Sequence, residues 1–168
     1  MTKKLLLIEL VLFITASFFL VFDRSLYIDK SKSPNNDTSQ IGNDFPDIAY
    51  DNFSKADLLG TYSIVNFFAS WCTTCILEHP LLNNLGKKIN IYGISWDKEP
   101  KKLQEYLEKH GNPYKKIALD SDSKLIIELG VSGVPESLLV APDGKIIYRI
   151  RGPLTDEIVN NEILPLIK

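Results

Sequence analysis

Cysteine, methionine and histidine are scarce in this chain: two, one and two among 168 residues. With only Cys72 and Cys75, there is no further thiol for a separate structural bridge, so a disulfide-stapled scaffold is excluded. Structural zinc would need two more ligands, and only His79 and His110 remain, with no further cysteine or closely spaced histidine pair. Two thiolates can hold copper(I). Yet the single methionine is Met1, so a methionine-rich copper site has no support. A basic excess is missing as well. Nineteen Lys and Arg against 21 Asp and Glu give a formal net charge of -2, without a basic stripe, so nucleic-acid binding has no electrostatic footing. The 45% hydrophobic and 24% charged composition is that of an ordinary globular protein. The length suits one domain plus an appendage, and no internal repeat is visible.

What is present begins with one long apolar run. Leu5 to Phe22 reads LLLIELVLFITASFFLVF, with Glu9 as its one charge. As a helix it would extend roughly 27 Å, slightly short of a hydrocarbon core of about 30 Å. Lys3 and Lys4 precede it and can snorkel to the headgroups. The run is apolar all round rather than striped, which argues against a buried helix of a soluble domain. Residues 5–22 are therefore expected to form a transmembrane signal anchor. A cleaved signal peptide is the competing reading, but no strong A-x-A-like site follows. Arg24, Lys30 and Lys32 after the span balance the lysines before it, so the positive-inside bias is weak. The short N-terminal tail favours a cytoplasmic N-terminus and an exported domain. Residues 23–44, with KSKSPNNDTSQ at their centre, have too few apolar groups for a core and read as a polar linker.

From Phe45 to Lys168 strand-like and helix-like segments alternate. Residues 63–69 (SIVNFFA) fit a buried central strand. Residues 72–85 carry helical spacing and end at Gly86, a C-cap candidate. Residues 89–95 read as a second strand, 100–109 as an amphipathic helix, 116–119 as a short strand and 123–129 as a short helix. Residues 137–140 and 145–150 flank Pro142-Asp143-Gly144, a hairpin turn signal. From Thr155 to Pro165 the chain should be helical. A β-α-β unit followed by β-β-α predicts an α/β domain, a mixed central sheet flanked by helices.

The chemistry lies in FFASWCTTCILEHP, Phe67 to Pro80, where Cys-x-x-Cys falls at a strand-to-helix junction. The first helical N–H groups lack intrahelical partners and the helix dipole is positive there, so both stabilise a thiolate at Cys72. Such cysteines have pKa values lowered to roughly 3.5–7.5 from about 8.5. Cys75 lies one turn deeper. Cys72 is thus the expected nucleophile and Cys75 the resolving thiol, with no cofactor beyond the redox-active disulfide. A purely structural bridge would close too short a loop to stabilise much.

WCTTC, ILEHP, YGISWD, HGNPY, LGVSGVPES and PDGKIIYRIRG occur in an order and spacing that resemble the thioredoxin superfamily. The closer likeness is to the DsbE/CcmG group of cytochrome c biogenesis, from about Phe45 to the end. The resemblance implies a thioredoxin-like fold and an inner-membrane anchor with the soluble domain in the periplasm. It implies reduction of a disulfide in apocytochrome c, or in a haem-lyase-associated thiol protein. A DsbD/CcdA-type membrane reductant would supply the electrons. It implies that Pro135 is the cis-proline facing the active site, which leaves the Val134 backbone free to pair with an extended substrate. Without the family, Pro135 would be an ordinary strand-edge proline. Glu136 matches an acidic residue of the group. Beside the cysteines it would oppose thiolate formation and relay protons; otherwise it is a solvated strand-end carboxylate. Glu78, one helical turn past Cys75, resembles the active-site glutamate of the TlpA-like branch, or else is an exposed helix charge. Trp71 shields the thiols or merely packs. Asn66 stands where thioredoxin has an aspartate, so it cannot act as a buried base. Thr73-Thr74 departs from the proline often found between the cysteines, which leaves the redox poise open. A general exported thiol oxidase and a TlpA-like copper metallochaperone are the alternative functions.

Overall fold

A computed structural model describes residues 40–50 and 52–167. The expected anchor and most of the expected linker lie outside them. Among the described residues no helix is long and apolar enough to cross a membrane.

Five strands of the described residues form one sheet, β1 (Ser63–Phe68), β2 (Asn90–Ser95), β3 (Ile117–Leu119), β4 (Glu136–Val140) and β5 (Ile146–Arg151), in the order β3-β2-β1-β4-β5. β1 to β3 are parallel; β4 and β5 are antiparallel additions on the other side of β1. β1 is buried at all six positions, as its largely apolar run, interrupted by Asn66, foretold for a central strand. Among the described residues four α-helical segments connect and flank the sheet: α1 (Thr73–Leu85), α2 (Pro100–His110), α3 (Lys124–Glu128) and α4 (Asp156–Ile158).

Strand alternation sorts the core into two layers. Ile64 and Phe68 of β1, Ile91 of β2 and Leu139 of β4 pack with Cys72, Cys75, Leu82 and Leu85, with Tyr106 of α2, and with Val159 and Ile163. Val65, Phe67, Tyr92, Ile94, Leu138 and Val140 face the other way, onto Phe45, Phe53, Leu58 and the α3 residues Leu125 and Ile126. Asp120 is fully buried and caps α3 by accepting from the backbone N–H groups of Leu125 (3.3 Å) and Ile126 (3.0 Å). It also accepts from the Tyr50 hydroxyl, which pins the N-terminal segment.

Three expectations are refined. The folded domain begins before Phe45: Gly42 N donates to Ile146 O at 2.8 Å and Ile146 N to Asn43 O at 2.9 Å, so residues 42–44 border β5. Gly86 caps α1 as expected, in a right-handed conformation with φ -62. Glycine is needed there because a Cβ would lie 2.6 Å from the Pro113 carbonyl. The C-terminal helix is not one α-helix. α4 passes into a π-helical stretch, Val159–Ile163, then a 3-10 turn, Leu164–Leu166. Pro165 has no N–H to continue an α ladder, and Asn160-Asn161 are weak helix formers.

Candidate active site

β1 delivers the chain to Ala69-Ser70-Trp71-Cys72 at the carboxyl edge of the parallel strands. Cys72 is the N-cap of α1, and its Sγ accepts from Cys75 N at 3.2 Å. Cys72 and Cys75 form a disulfide. Without a proton on that sulfur, the Thr74 hydroxyl is the donor across 3.3 Å to Cys72 Sγ. Cys72 keeps 5% of its surface exposed and Cys75 1%, so Cys72 is the sulfur a partner meets first. Trp71 is exposed beside the pair, its ring tilted against Trp96 at 6.2 Å.

The Val134–Pro135 peptide is cis, as the resemblance implied. The Val134 carbonyl oxygen lies 3.5 Å from Cys72 Sγ.

Behind the disulfide is a closed polar network. Asn66 Nδ2 donates to Glu78 Oε1 and to Ser137 Oγ, both at 3.0 Å. Asn66 Oδ1 accepts from the Tyr114 hydroxyl at 2.9 Å. Leu154 N donates to Glu78 Oε2 at 2.7 Å. Glu78 is 3% exposed, so the surface-charge reading is wrong. Burial pushes its carboxyl from 4.5 up to about 7, against the opposing pull of the Leu154 and Asn66 hydrogen bonds. Next to it on α1, His79 is buried too. Its Nε2–H donates to Gly111 O and its Nδ1 accepts from Tyr106 OH, each at 2.9 Å. Both ring nitrogens are engaged, so His79 is not free to join the cysteines around a metal. Burial lowers its pKa from 6.5.

Glu136 is 1% exposed, which removes the solvated strand-end reading. By strand alternation it shares a face with Leu138 and Val140, while Ser137 and Leu139 share the disulfide's face. Its partner is Arg149, which forms an ion pair with it at the base of β4 and β5. The expectation that Glu136 stands beside the sulfurs is therefore corrected: its carboxylate points into the opposite layer. Burial raises its pKa and Arg149 pulls it down.

Two contributors escaped the sequence reading. Arg149 is one. Asp97 is the other: 1% exposed, it accepts from Ser70 N (3.0 Å), Ser70 Oγ (2.6 Å) and Ser95 Oγ (2.7 Å). It thereby fixes the turn that presents Trp71 and Cys72. Its signal was an acidic residue just past β2, at the same sheet edge as the Cys-x-x-Cys strand.

A mixed five-stranded sheet, a Cys-x-x-Cys disulfide capping α1 and a cis-proline against it define a thioredoxin-like thiol–disulfide oxidoreductase. The Redoxin family profile matches residues 40–163. The chain belongs to that family, as a thiol:disulfide interchange protein of the DsbE group. It is 33% identical to the thiol:disulfide interchange protein DsbE of Escherichia coli K12, covering 99% of this chain and 95% of that one. To HelX of Rhodobacter capsulatus it is 41% identical over 117 residues, 68% of this chain and 66% of HelX. The fold matches a Chlorobium tepidum structure described as a DsbE-type interchange protein, with TM-score 0.62, 22% identity, and coverage of 79% and 93%.

Proposed function

We propose that this protein is a membrane-anchored, periplasm-facing reductase that opens a disulfide in apocytochrome c, or in a haem-lyase-associated thiol protein, during c-type cytochrome maturation. The observation that carries the chemistry is Cys72 Sγ, the more exposed sulfur, at the N-cap of α1 and 3.5 Å from the Val134 carbonyl. Likeness to DsbE along 99% of the chain supports the client and the setting.

In the reduced protein the Cys72 thiolate attacks one sulfur of the client disulfide. That S–S bond breaks and the client's other sulfur leaves as a thiolate. The client's backbone lies along Val134 as an added strand. Cys75, as thiolate, then attacks Cys72 Sγ and expels the second client sulfur. The client leaves as a dithiol and Cys72–Cys75 is left as the disulfide. A DsbD/CcdA-type membrane reductant returns the two electrons. Glu78, poised to titrate at about 7 and one turn from Cys75, exchanges the proton that Cys75 must lose and regain. Asn66 holds Glu78 in place and Trp71 covers the exposed side of Cys72.

The test is a trap in cells. With Cys75→Ala the mixed disulfide cannot resolve, and Cys72 should accumulate linked to apocytochrome c or its maturation partner. A trap holding only unrelated exported proteins, or none, refutes the proposed client and leaves a general exchanger or oxidase.

A further inference from the structure

Arg149 is the largest fully buried side chain among the described residues, and it is a cation. A buried charge is costly unless its donors are all met. Here Nε donates to Glu136 Oε1 at 2.5 Å, and Nη2 pairs with the same oxygen. Nη1 donates to Leu129 O and Nη2 to Gly130 O, each at 2.9 Å. These acceptors have an order. Leu129 and Gly130 follow α3, where the last helical carbonyls lack partners within the helix. Glu136 is the first residue of β4. Between them runs 131–135, the segment that carries Val134 and the cis-proline. One planar cation on β5 therefore holds both ends of that segment. Gly152, just past β5, adds a third tie by donating from its N to Pro135 O at 3.0 Å. Between these ties Ser132 is exposed, and Gly133 and Val134 are partly exposed.

Stability alone does not account for such a pair. Replacing a buried ion pair with apolar residues of similar volume is often neutral or stabilising. What apolar residues would not reproduce is the planar fork that joins two carbonyls and a carboxylate at fixed spacing. We propose that Arg149 and Glu136 form a clamp that sets Val134 against Cys72, and that they govern the docking of an extended, disulfide-bearing polypeptide. They are positioning residues. The clamp acts on the backbone-pairing surface, so it serves any extended polypeptide. It rests on the exchange chemistry of Cys72 and not on apocytochrome c being the client.

The test uses the reduced full-length protein, Glu136→Gln and Arg149→Lys, and two kinds of oxidant. Hydroxyethyl disulfide is too short to lie along the loop. Disulfide-bonded peptides, one with Cys-x-x-Cys-His and one of unrelated sequence, are long enough to pair with Val134. In both variants the ratio of peptide rate to small-disulfide rate should fall by about tenfold, through KM, because a misplaced docking edge costs the peptide its alignment. The fall should be the same for both peptides. A preference of the wild type for one peptide bears only on the client. An unchanged ratio overturns the clamp. A parallel loss on both kinds of oxidant also overturns it, since Glu136 would then act on the sulfur itself. If either single variant fails to fold, the Glu136→Met, Arg149→Met double variant removes both charges together, and the same fall in ratio is required of it.

Discussion

Asn66 Nδ2 donates to Glu78 Oε1 at 3.0 Å, so a neutral amide and a buried carboxylate share the polar site behind the disulfide. In the proposed mechanism Glu78 takes the acid–base part and Asn66 the orienting part. Glu78 titrates at about 7 in the fold against 4.5 when exposed. The folded state then holds the extra proton between those values. The stabilising contribution is complete below pH 4.5 and lost as pH rises through about 7, on the order of 3 kcal/mol. Glu78→Gln, which cannot ionise, should lack this loss: chemical denaturation at acid and mildly alkaline pH will show a smaller decline than in wild type. The inflection near neutral pH in the rate of mixed-disulfide resolution should vanish with it. An unaltered resolution profile would remove Glu78 from proton handling.

His79 titrates in the opposite sense. Its folded pKa is lowered by burial, so the folded protein prefers the neutral ring. Stability is present above the unfolded value of 6.5 and is lost as pH falls through the folded one. His79→Gln keeps a donor for Gly111 O and an acceptor for Tyr106 OH. It should flatten the acid side of the stability profile, read by denaturant midpoints from about pH 7 down to about pH 5. A slope equal to wild type would show that His79 does not titrate on unfolding.

Asp97 satisfies three donors around the turn before Cys72. Asp97→Ala strands the N–H and hydroxyl of half-buried Ser70 and the hydroxyl of buried Ser95. The expected cost is about 2–3 kcal/mol of stability. Alkylation of Cys72 in the reduced variant should also change its pH dependence, because the turn and the nearby carboxylate are both lost. A destabilised variant with the wild-type alkylation profile would make Asp97 structural only.

Much of this was legible in sequence. The fully buried β1 announces itself by its apolar run, α1 by spacing, and the redox pair by its place between them. The cis state of Pro135 came from family likeness, since cis bonds are only a few per cent of X–Pro bonds in folded proteins. The two glutamates were harder. Helical spacing put Glu78 on the face of Cys75, but burial depends on what arrives from elsewhere, here Leu154 and Asn66. Glu136 is adjacent in sequence to the cis-proline, yet period-two alternation sends its side chain to the other layer, where a residue 13 positions later meets it. Arg149 gave no local sign, because a buried cation in a strand is defined by its distant acceptors.

Gly93 marks a close approach. A Cβ there would stand 2.9 Å from Phe68 Cε1 and 3.0 Å from the Tyr114 ring. Those two rings stack at 4.7 Å, and the Tyr114 hydroxyl holds Asn66. Gly93→Ala should cost about 1–3 kcal/mol by overpacking and shift the Glu78-dependent inflection. Thermal unfolding checks the first and the resolution profile the second; loss of stability with an unmoved inflection would uncouple the stack from the site.

Under the proposed function, electrons leave Cys72 and Cys75 for an apocytochrome disulfide. The direct measurement is to mix the purified reduced protein with an oxidised apocytochrome c carrying its Cys-x-x-Cys-His segment, quench with acid, and count thiols on each partner. The apocytochrome should gain two thiols as a Cys72–Cys75 disulfide forms in equal amount. A protein that stays reduced beside an oxidised apocytochrome, or whose disulfide instead oxidises the reduced apocytochrome, would contradict it.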